Sequence, residues 1–132
     1  IHGAENTRAE IDRVVEVLGL GAILRRPVGE LAHGQRQIVE LGLVLAQHPK
    51  LVLLDEPAAG ITGSETERLV EIIRTINREA AVVVVDHDMH FVRMLGGRVT
   101  VLHQGSVLME GSSDQVLSDA RVREVYIGNR AK

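Results

Sequence analysis

Two short, wholly apolar runs, each ending in acidic residues, constrain the fold of this chain more than any other feature. The first run is Leu51–Leu54, followed by Asp55, and the second is Ala81–Val85, followed by Asp86. A short apolar run that is bounded by polar residues is typical of a strand covered on both faces in a parallel sheet. We therefore expect two buried parallel strands, each with carboxylates just past its carboxyl end.

Apolar residues at helical spacing predict two helices before the first strand. The segment from Thr7 to Glu10 has the spacing of a capping box, and an amphipathic helix is expected to follow it and to end near Gly19. A second helix is expected over Gln35–Gln47, opening at Gly34. Residues 20–33 contain several glycines and a proline, which predict an irregular connection with one short helical turn.

The segments after the first strand predict one more long helix and a hairpin. Ser64 and Glu67 again have capping-box spacing and precede an apolar helical stripe. Strands over Val99–Leu102 and Ser106–Met109 are expected to flank a turn with Gly105 at a positive φ, and short helices to finish the chain. The order strand, helix, strand predicts an α/β domain, in which ligands gather beyond the carboxyl ends of the strands.

Composition argues against several classes of protein. Fifteen basic residues against eighteen acidic ones give a net charge of -3, and the only aromatic residues are Phe91 and Tyr126, so neither a basic patch nor a base-stacking platform is expected and nucleic acid is excluded as a partner. The chain has no cysteine for disulfides or a thiolate metal site. Its apolar runs are far shorter than the roughly 20 residues of a membrane-spanning helix.

Four segments, taken in order, resemble the ATPases of the ABC type. Leu31–Gln35 resembles the signature motif of that family, Leu51–Glu56 its Walker B strand, Ala59–Thr62 its D-loop, and Asp86–Asp88 the segment of its switch histidine. The resemblance implies an α/β fold, a partial P-loop NTPase domain over 1–132. It comprises a portion of the helical subdomain over 1–48 and a portion of the catalytic core over 49–132, which ends in a β-hairpin with short helices.

The signature segment is expected to bind an anion, because it begins a helix. A helix that opens at Gly34 presents unpaired N–H groups and a partial positive charge, and the missing Cβ leaves room for a phosphate. The alternative is a glycine that merely begins a helix. The resemblance implies that Ala32, His33, Gly34 and Gln35 contact the ATP held by a second subunit. Ala32 departs from the family, which usually has a serine there, so one hydrogen bond across that interface is expected to be lost.

The carboxylates after the first strand are expected to carry the hydrolysis chemistry. Asp55 is placed to hold Mg²⁺ through water, because that hard cation prefers carboxylate oxygens and keeps much of its hydration shell. The resemblance assigns Glu56 the role of general base or of the residue that polarises the attacking water. The alternative is a solvated acidic pair at a strand end. The D-loop residues Gly60, Ile61 and Thr62 are implied to pass information between two ATP sites.

His87 is implied to be the switch residue that senses the γ-phosphate of ATP. An imidazole can donate a hydrogen bond to a phosphate oxygen, which suits that task. The alternative is metal ligation by His87 together with His90 and the flanking Asp86 and Asp88. The remaining histidines are expected to be surface or turn residues. They are His2, His33, His48 and His103.

The C-terminal part narrows the resemblance to importers of urea and of branched-chain amino acids. The segments that carry it include Val99–His103, Gly105–Leu108 and Val125–Gly128, and His33 within the signature indicates the urea type. The implied cofactors are ATP and Mg²⁺. The implied partners are a second ATP-binding subunit, in a homodimer or a heterodimer, and transmembrane permease subunits. The implied location is peripheral, on the cytoplasmic face of the inner or plasma membrane.

The sequence contains no Gly-x-x-x-x-Gly-Lys-Ser/Thr string, and its first lysine is Lys50. With no initiator methionine at Ile1, the chain reads as the carboxyl half of a longer ATPase, and we expect it to be inactive and poorly soluble alone. A second hypothesis is a non-catalytic half-domain that binds a partner and completes or regulates a split ATPase. A chromosome-maintenance ATPase fits the tail less well. A metal phosphohydrolase built on Asp55, Glu56, Asp86 and His87 leaves the signature segment unexplained.

Overall fold

The computed structural model describes residues 2–127, and the side chains of residues 6–126. The chain forms two compact units, Ile1–Asp86 and His87–Lys132. The sequence placed a different boundary, between residues 48 and 49, where the helical subdomain portion meets the catalytic core portion. That boundary stays a prediction. The glycine at position 128, part of the importer-like ending, lies outside the described residues.

The first unit alternates helices with two parallel strands. Its strands pair in register from Leu51 opposite Ala81 to Asp55 opposite Val85, which confirms the predicted parallel pair. The third helix buries the predicted apolar stripe, including Leu69 at 2% exposure. The elements are α1 (His2–Leu18), a 3-10 turn (Val28–Glu30), α2 (His33–Leu45), β1 (Leu51–Asp55), α3 (Ser64–Ile76) and β2 (Ala81–Val85).

The helix starts differ from those that the capping patterns predicted. Helix α1 begins at His2, so Thr7 lies inside it, and Ser64 is the first residue of α3 rather than its cap, which is Gly63. Helix α2 begins at His33, so Gly34 is its second residue. The capping-box spacing misled because Ser or Thr three residues before Glu also occurs within the first turns of a helix.

The sheet of the first unit is covered on one face only within the described residues, which corrects the expectation of strands buried on both faces. Val52 is buried at 3% exposure, whereas Leu53 is 71% exposed and Val85 is 63% exposed. Leu51 and Val83 are also half exposed, and because side chains alternate along a strand they share the face of Leu53. The chain therefore presents one bare apolar face of its sheet, defined by Leu51, Leu53, Val83 and Val85.

The second unit contains the predicted hairpin and short helices. Its antiparallel strands meet at a turn in which Gln104 has φ 49° and Gly105 has φ 78°, as in the mirror-image turns that match strand twist. The core of this unit is formed by Val101, Val116 and Val122. The elements are α4 (Met89–Leu95), β3 (Arg98–His103), β4 (Ser106–Ser112), α5 (Ser113–Ser118) and α6 (Ala120–Ile127).

Helix α4 was not anticipated from the sequence. It begins after Asp88, whose Oδ1 accepts the N–H groups of His90 at 2.8 Å and of Phe91 at 3.1 Å, so this acidic residue is a helix cap. Phe91 anchors the helix with no exposed surface. Among residues 2–127, no helix has the length and apolar character needed to cross a membrane.

Candidate functional site

The paired carboxylates lie where the sequence placed them, at the carboxyl end of β1. Asp55 is the last residue of the strand, and Glu56 follows it with φ 46°, in the left-handed region that residues with a Cβ seldom adopt. The Glu56 N–H donates to Val85 O at 2.7 Å, and its carbonyl accepts the Ala59 N–H at 3.0 Å. These bonds fix a backbone conformation that costs about 1–3 kcal/mol, and both carboxylates stay exposed.

The predicted D-loop lies between Glu56 and α3, and hydrogen bonds hold Ala58, the residue before it, and Ile61 within it. The Ala58 N–H donates to Oδ2 of Asp86 at 3.4 Å, and the Ile61 N–H donates to Ala58 O at 3.3 Å. Gly60 has φ 76°, and Ile61 is buried at 8% exposure. Asp86 therefore holds the residue that precedes this loop, and sequence patterns alone do not distinguish this role from metal ligation.

Ala32 caps helix α2 without a side-chain acceptor. Its backbone has φ -60° and ψ 157°, and its N–H donates to Oε1 of Gln35 at 3.0 Å. This is one half of a capping box, because the N–H of Gln35 lacks the hydroxyl that a serine at position 32 would offer. The Gln35 carboxamide oxygen is therefore engaged in closing the first turn.

Gly34 packs against one residue of the predicted D-loop and one residue that follows it. A Cβ at Gly34 would stand 3.1 Å from Oε1 of Glu65 and 3.4 Å from Cγ2 of Ile61, so the Glu65 side chain would have to shift by a few tenths of an ångström to admit one. The carboxylate of Glu65, in the first turn of α3, thus lies beside the first turn of α2, where negative charge is stabilising. The structure gives the glycine a packing reason, and its contact with a phosphate stays a prediction. No sequence pattern singled out Glu65.

The side chain of His33 reaches the D-loop. Its Nε2 lies 3.2 Å from Ala59 O, and a Cβ at Gly60 would stand 3.4 Å from Cδ2 of the same ring. His33 is exposed in the first turn of α2, as expected of a surface residue, yet it joins two segments that the sequence identified separately. The first unit thus brings the signature segment and the D-loop together.

His87 is the first residue of the second unit and is exposed. The acidic residue after it, Asp88, is engaged as the cap of α4. Across residues 2–127, no three His, Asp or Glu side chains are grouped so that they could hold a metal ion.

A cleft of about 220 Å³ lies beside the end of β1. Apolar side chains of α2, β1 and α3 line it, together with Gln37, Glu40 and Asp55. Within the described part of the chain, Oε1 of Gln37 is buried without a hydrogen-bond partner. A buried acceptor without a donor costs about 1–3 kcal/mol.

The parallel strand that ends in Asp-Glu, the loop packed on a glycine-containing helix start and the terminal hairpin are elements of the α/β fold of ABC ATPases, which the chain shares in part. The family model of the ABC transporter matches residues 3–59. The fold is shared by the ADP conformation of an ATP-binding cassette of an ABC transporter, with a TM-score of 0.79 and 26% identity, covering 93% of this chain and 50% of that one. A nucleotide-free cassette from an ABC transporter gives a TM-score of 0.77 at 27% identity, covering 94% of this chain and 51% of that one.

Curated relatives include two ATP-binding proteins of high-affinity branched-chain amino acid transport. BraF of Pseudomonas aeruginosa is 31% identical over 116 residues, which cover 86% of this chain and 46% of BraF. LivG of Escherichia coli is 30% identical with the same coverage of each chain. The chain thus spans about half the length of the curated relatives it matches.

Proposed function

We propose that the chain is the hydrolysis half of an ATP-binding subunit of an ABC importer, which couples ATP hydrolysis to uptake of branched-chain amino acids, urea or short amides. The observation that carries the proposal is the strained Glu56 held beside Asp55 at the carboxyl end of a parallel strand. Strained residues of this kind cluster at active sites, where the surrounding structure maintains them. Relatives that transport branched-chain amino acids support the substrate class.

Asp55 and Glu56 divide the work of hydrolysis. The exposed carboxylate of Asp55 offers the hard oxygen ligands that suit Mg²⁺, which binds one or two carboxylates together with substrate phosphates and water. Asp55 would hold Mg²⁺ when the ion is present, and the ion would then supply positive charge against the phosphates of ATP. Glu56 orients the attacking water and accepts a proton from it, and the fixed backbone of Glu56 keeps its carboxylate at the strand end.

The signature segment acts on the ATP of a second subunit. The first turn of α2 contributes backbone N–H groups from His33, Gly34 and Gln35 and the positive end of the helix dipole. His87 donates a hydrogen bond to the γ-phosphate and reports whether the nucleotide is intact. The dimer of ATP-binding subunits attaches to transmembrane permease subunits on the cytoplasmic face of the membrane.

The bare apolar face of the sheet is evidence for a further segment that packs on it and completes the cassette. Leu53 and Val83 are exposed at 71% and 50%, and a segment packed on this face would bury both. We assign this face to the segment that carries the phosphate-binding loop. Apolar side chains on such a face favour association with whatever segment covers them.

Complementation tests the proposal. The chain is mixed with an amino-terminal half that carries a Walker A loop, and ATP hydrolysis is measured for each half and for the mixture. We expect activity in the mixture alone, and Glu56→Gln is expected to lower it by a factor of about 10² to 10⁴, the usual contribution of general base catalysis. Glu71→Gln, an exposed carboxylate on α3, is the matched control and should leave activity unchanged.

A folded complex that hydrolyses no ATP would overturn the catalytic proposal. It would favour the second candidate, a non-catalytic half-domain that binds a partner ATPase through its signature helix. The alanine at position 32 favours this candidate, because it offers no hydroxyl to ATP bound across the interface.

The transported solute is tested separately. The complemented subunit is reconstituted with its permease in vesicles, and ATP-dependent uptake of labelled leucine and of labelled urea is compared. Uptake of neither solute would refute the assignment of the substrate class.

A further inference from the structure

We infer that His33 is a positioning residue that clamps the D-loop to the signature helix, so that the two segments move as one piece. The clamp itself is inferred from the described contacts, and its effect on ATP turnover rests on the proposed function. It assigns to the His33 side chain a task within its own subunit, in addition to the role of the signature backbone toward the ATP of the second subunit.

The hydrogen bond has a defined direction. Nε2 of His33 lies 3.2 Å from Ala59 O. A carbonyl oxygen is an acceptor only, so Nε2 must carry the proton and donate. The neutral ring with its proton on Nε2 and the doubly protonated ring both satisfy this requirement.

Gly60 lies within van der Waals contact of the His33 ring, at a backbone conformation that favours glycine. Its φ of 76° lies in the region that favours glycine, and the place where a Cβ would stand is 3.4 Å from Cδ2 and 3.5 Å from Nε2 of His33. The backbone turns here so that the carbonyl of Ala59 faces the ring. A glycine at position 60 and a histidine at position 33 thus form one contact, although they lie far apart in the sequence.

The opposite side of the same loop is also held. The N–H of Ala58 donates to Oδ2 of Asp86 at 3.4 Å, and Ile61 is buried beside Gly34. The backbone of residues 58–61 is therefore bonded on one side to Asp86, the residue after the second strand, and on the other side to the first turn of α2. The position of the loop therefore depends on both. The link to α2 is made by the His33 side chain, so a substitution at His33 can remove it.

The consequence concerns how two ATP sites communicate. In the proposed function, the signature and the D-loop both act toward the second subunit. Because the two segments are bonded to each other within one subunit, a movement of the signature also moves the D-loop, and the reverse. Loss of this bond should lower turnover, which depends on the joint position of the segments, more than it lowers the apparent affinity for ATP.

Amide hydrogen exchange measures the clamp directly, without any requirement for ATP hydrolysis. Exchange over residues 58–62 is compared in wild type, His33→Leu and His33→Gln, in the complemented complex or in the chain alone at low micromolar concentration. Gln places an N–H donor near the position of Nε2, whereas Leu fills similar space without one. His103→Leu, in the second unit, is the control for loss of a histidine elsewhere.

We expect His33→Leu to speed exchange over residues 58–62 by about three- to tenfold, the loss of one ordinary hydrogen bond. His33→Gln should restore exchange to within about twofold of wild type, and exchange in β1 and α3 should not change. Equal exchange in all variants would overturn the inference. So would Gln failing to rescue, or acceleration spread evenly over the first unit.

The kinetic readout separates the two proposals. In the active complex, His33→Leu should lower kcat severalfold with little change in KM, and His33→Gln should recover most of kcat. If no complex hydrolyses ATP while the exchange pattern is as expected, the proposed function fails and the clamp stands. If hydrolysis is normal in His33→Leu and exchange is unchanged, the clamp fails and the proposed function stands.

Discussion

Replacing Ala32 with serine should complete the capping box of helix α2 and stabilise the chain. The chain contains a close reference for this change at the start of α5. There, Ser112 Oγ accepts the N–H of Gln115 at 3.3 Å, and the Ser112 N–H donates to Oε1 of Gln115 at 3.1 Å. Ala32 and Gln35 show only the second of these two bonds, at 3.0 Å.

The backbone at position 32 is already suited to serine. Ala32 has φ -60° and ψ 157°, and Ser112 has φ -66° and ψ 156°, so the hydroxyl of a serine at position 32 would lie where that of Ser112 lies. A serine in place of alanine at such a position contributes about 1 kcal/mol to the free energy of unfolding, within a range of about 0.5–2 kcal/mol. For a chain of this size, the melting temperature should rise by about 3–5 °C.

Urea unfolding followed by far-UV circular dichroism, without nucleotide, measures this effect. Ala32→Ser should raise the urea midpoint with no change in the slope of the transition. Ser112→Ala is the matched reverse change and should lower the free energy of unfolding by a similar amount. If neither variant shifts the midpoint, the capping argument is refuted for this chain.

A second layer of the experiment separates the cap from the proposed contact with ATP. Ala32→Gly improves the cap almost as much as serine does but adds no hydroxyl. If the hydroxyl also reaches ATP across the dimer, Ala32→Ser should exceed Ala32→Gly in hydrolysis by the complemented complex. Equal rates of hydrolysis in these two variants and in wild type would show that the hydroxyl acts only as a helix cap and makes no contact with ATP.

Two further predictions concern the bare sheet face and the hairpin. Leu53→Gln should reduce self-association in sedimentation velocity without lowering stability, because the leucine is 71% exposed; Leu102→Gln, at 61% exposure in the second unit, is the control, and equal association in both would contradict the assignment of the sheet face. Hydrogen bonds from Arg98 and Thr100, and then the charge of Arg98, hold the pKa of Glu110 below its ordinary value. A lowered pKa stabilises the fold above the ordinary pKa of the group, and this contribution is lost as pH falls through the lowered value. Glu110→Gln should therefore weaken the chain at neutral pH but match wild type in acid, which urea midpoints across pH would check; a difference that persists in acid would refute the electrostatic explanation.

The sequence alone determined the elements whose signals are local. The apolar runs at Leu51–Leu54 and Ala81–Val85 became parallel strands, because β-branched and aliphatic residues without polar interruption fit a pleated, buried surface. The turn at Gly105 was predictable because only a few residue types tolerate a positive φ. The position of Asp55 and Glu56 at a strand end followed from the same runs.

Tertiary structure decided what sits beside these residues. His33 and Ala59 are 26 positions apart, and Ala58 and Asp86 are 28 apart, so neither bond leaves a periodic trace in the sequence. The packing of Gly34 against Glu65 is likewise invisible until α2 and α3 are placed together.

Burial was also outside the reach of the sequence. The same apolar pattern predicts a strand whether or not a neighbour covers it, and the face of Leu53 is bare within the described residues. The sequence by itself thus determined which residues form strands and where their carboxylates emerge, since these follow from contacts within a few residues. The fold decided which groups touch and which faces stay open, because those depend on segments distant along the chain.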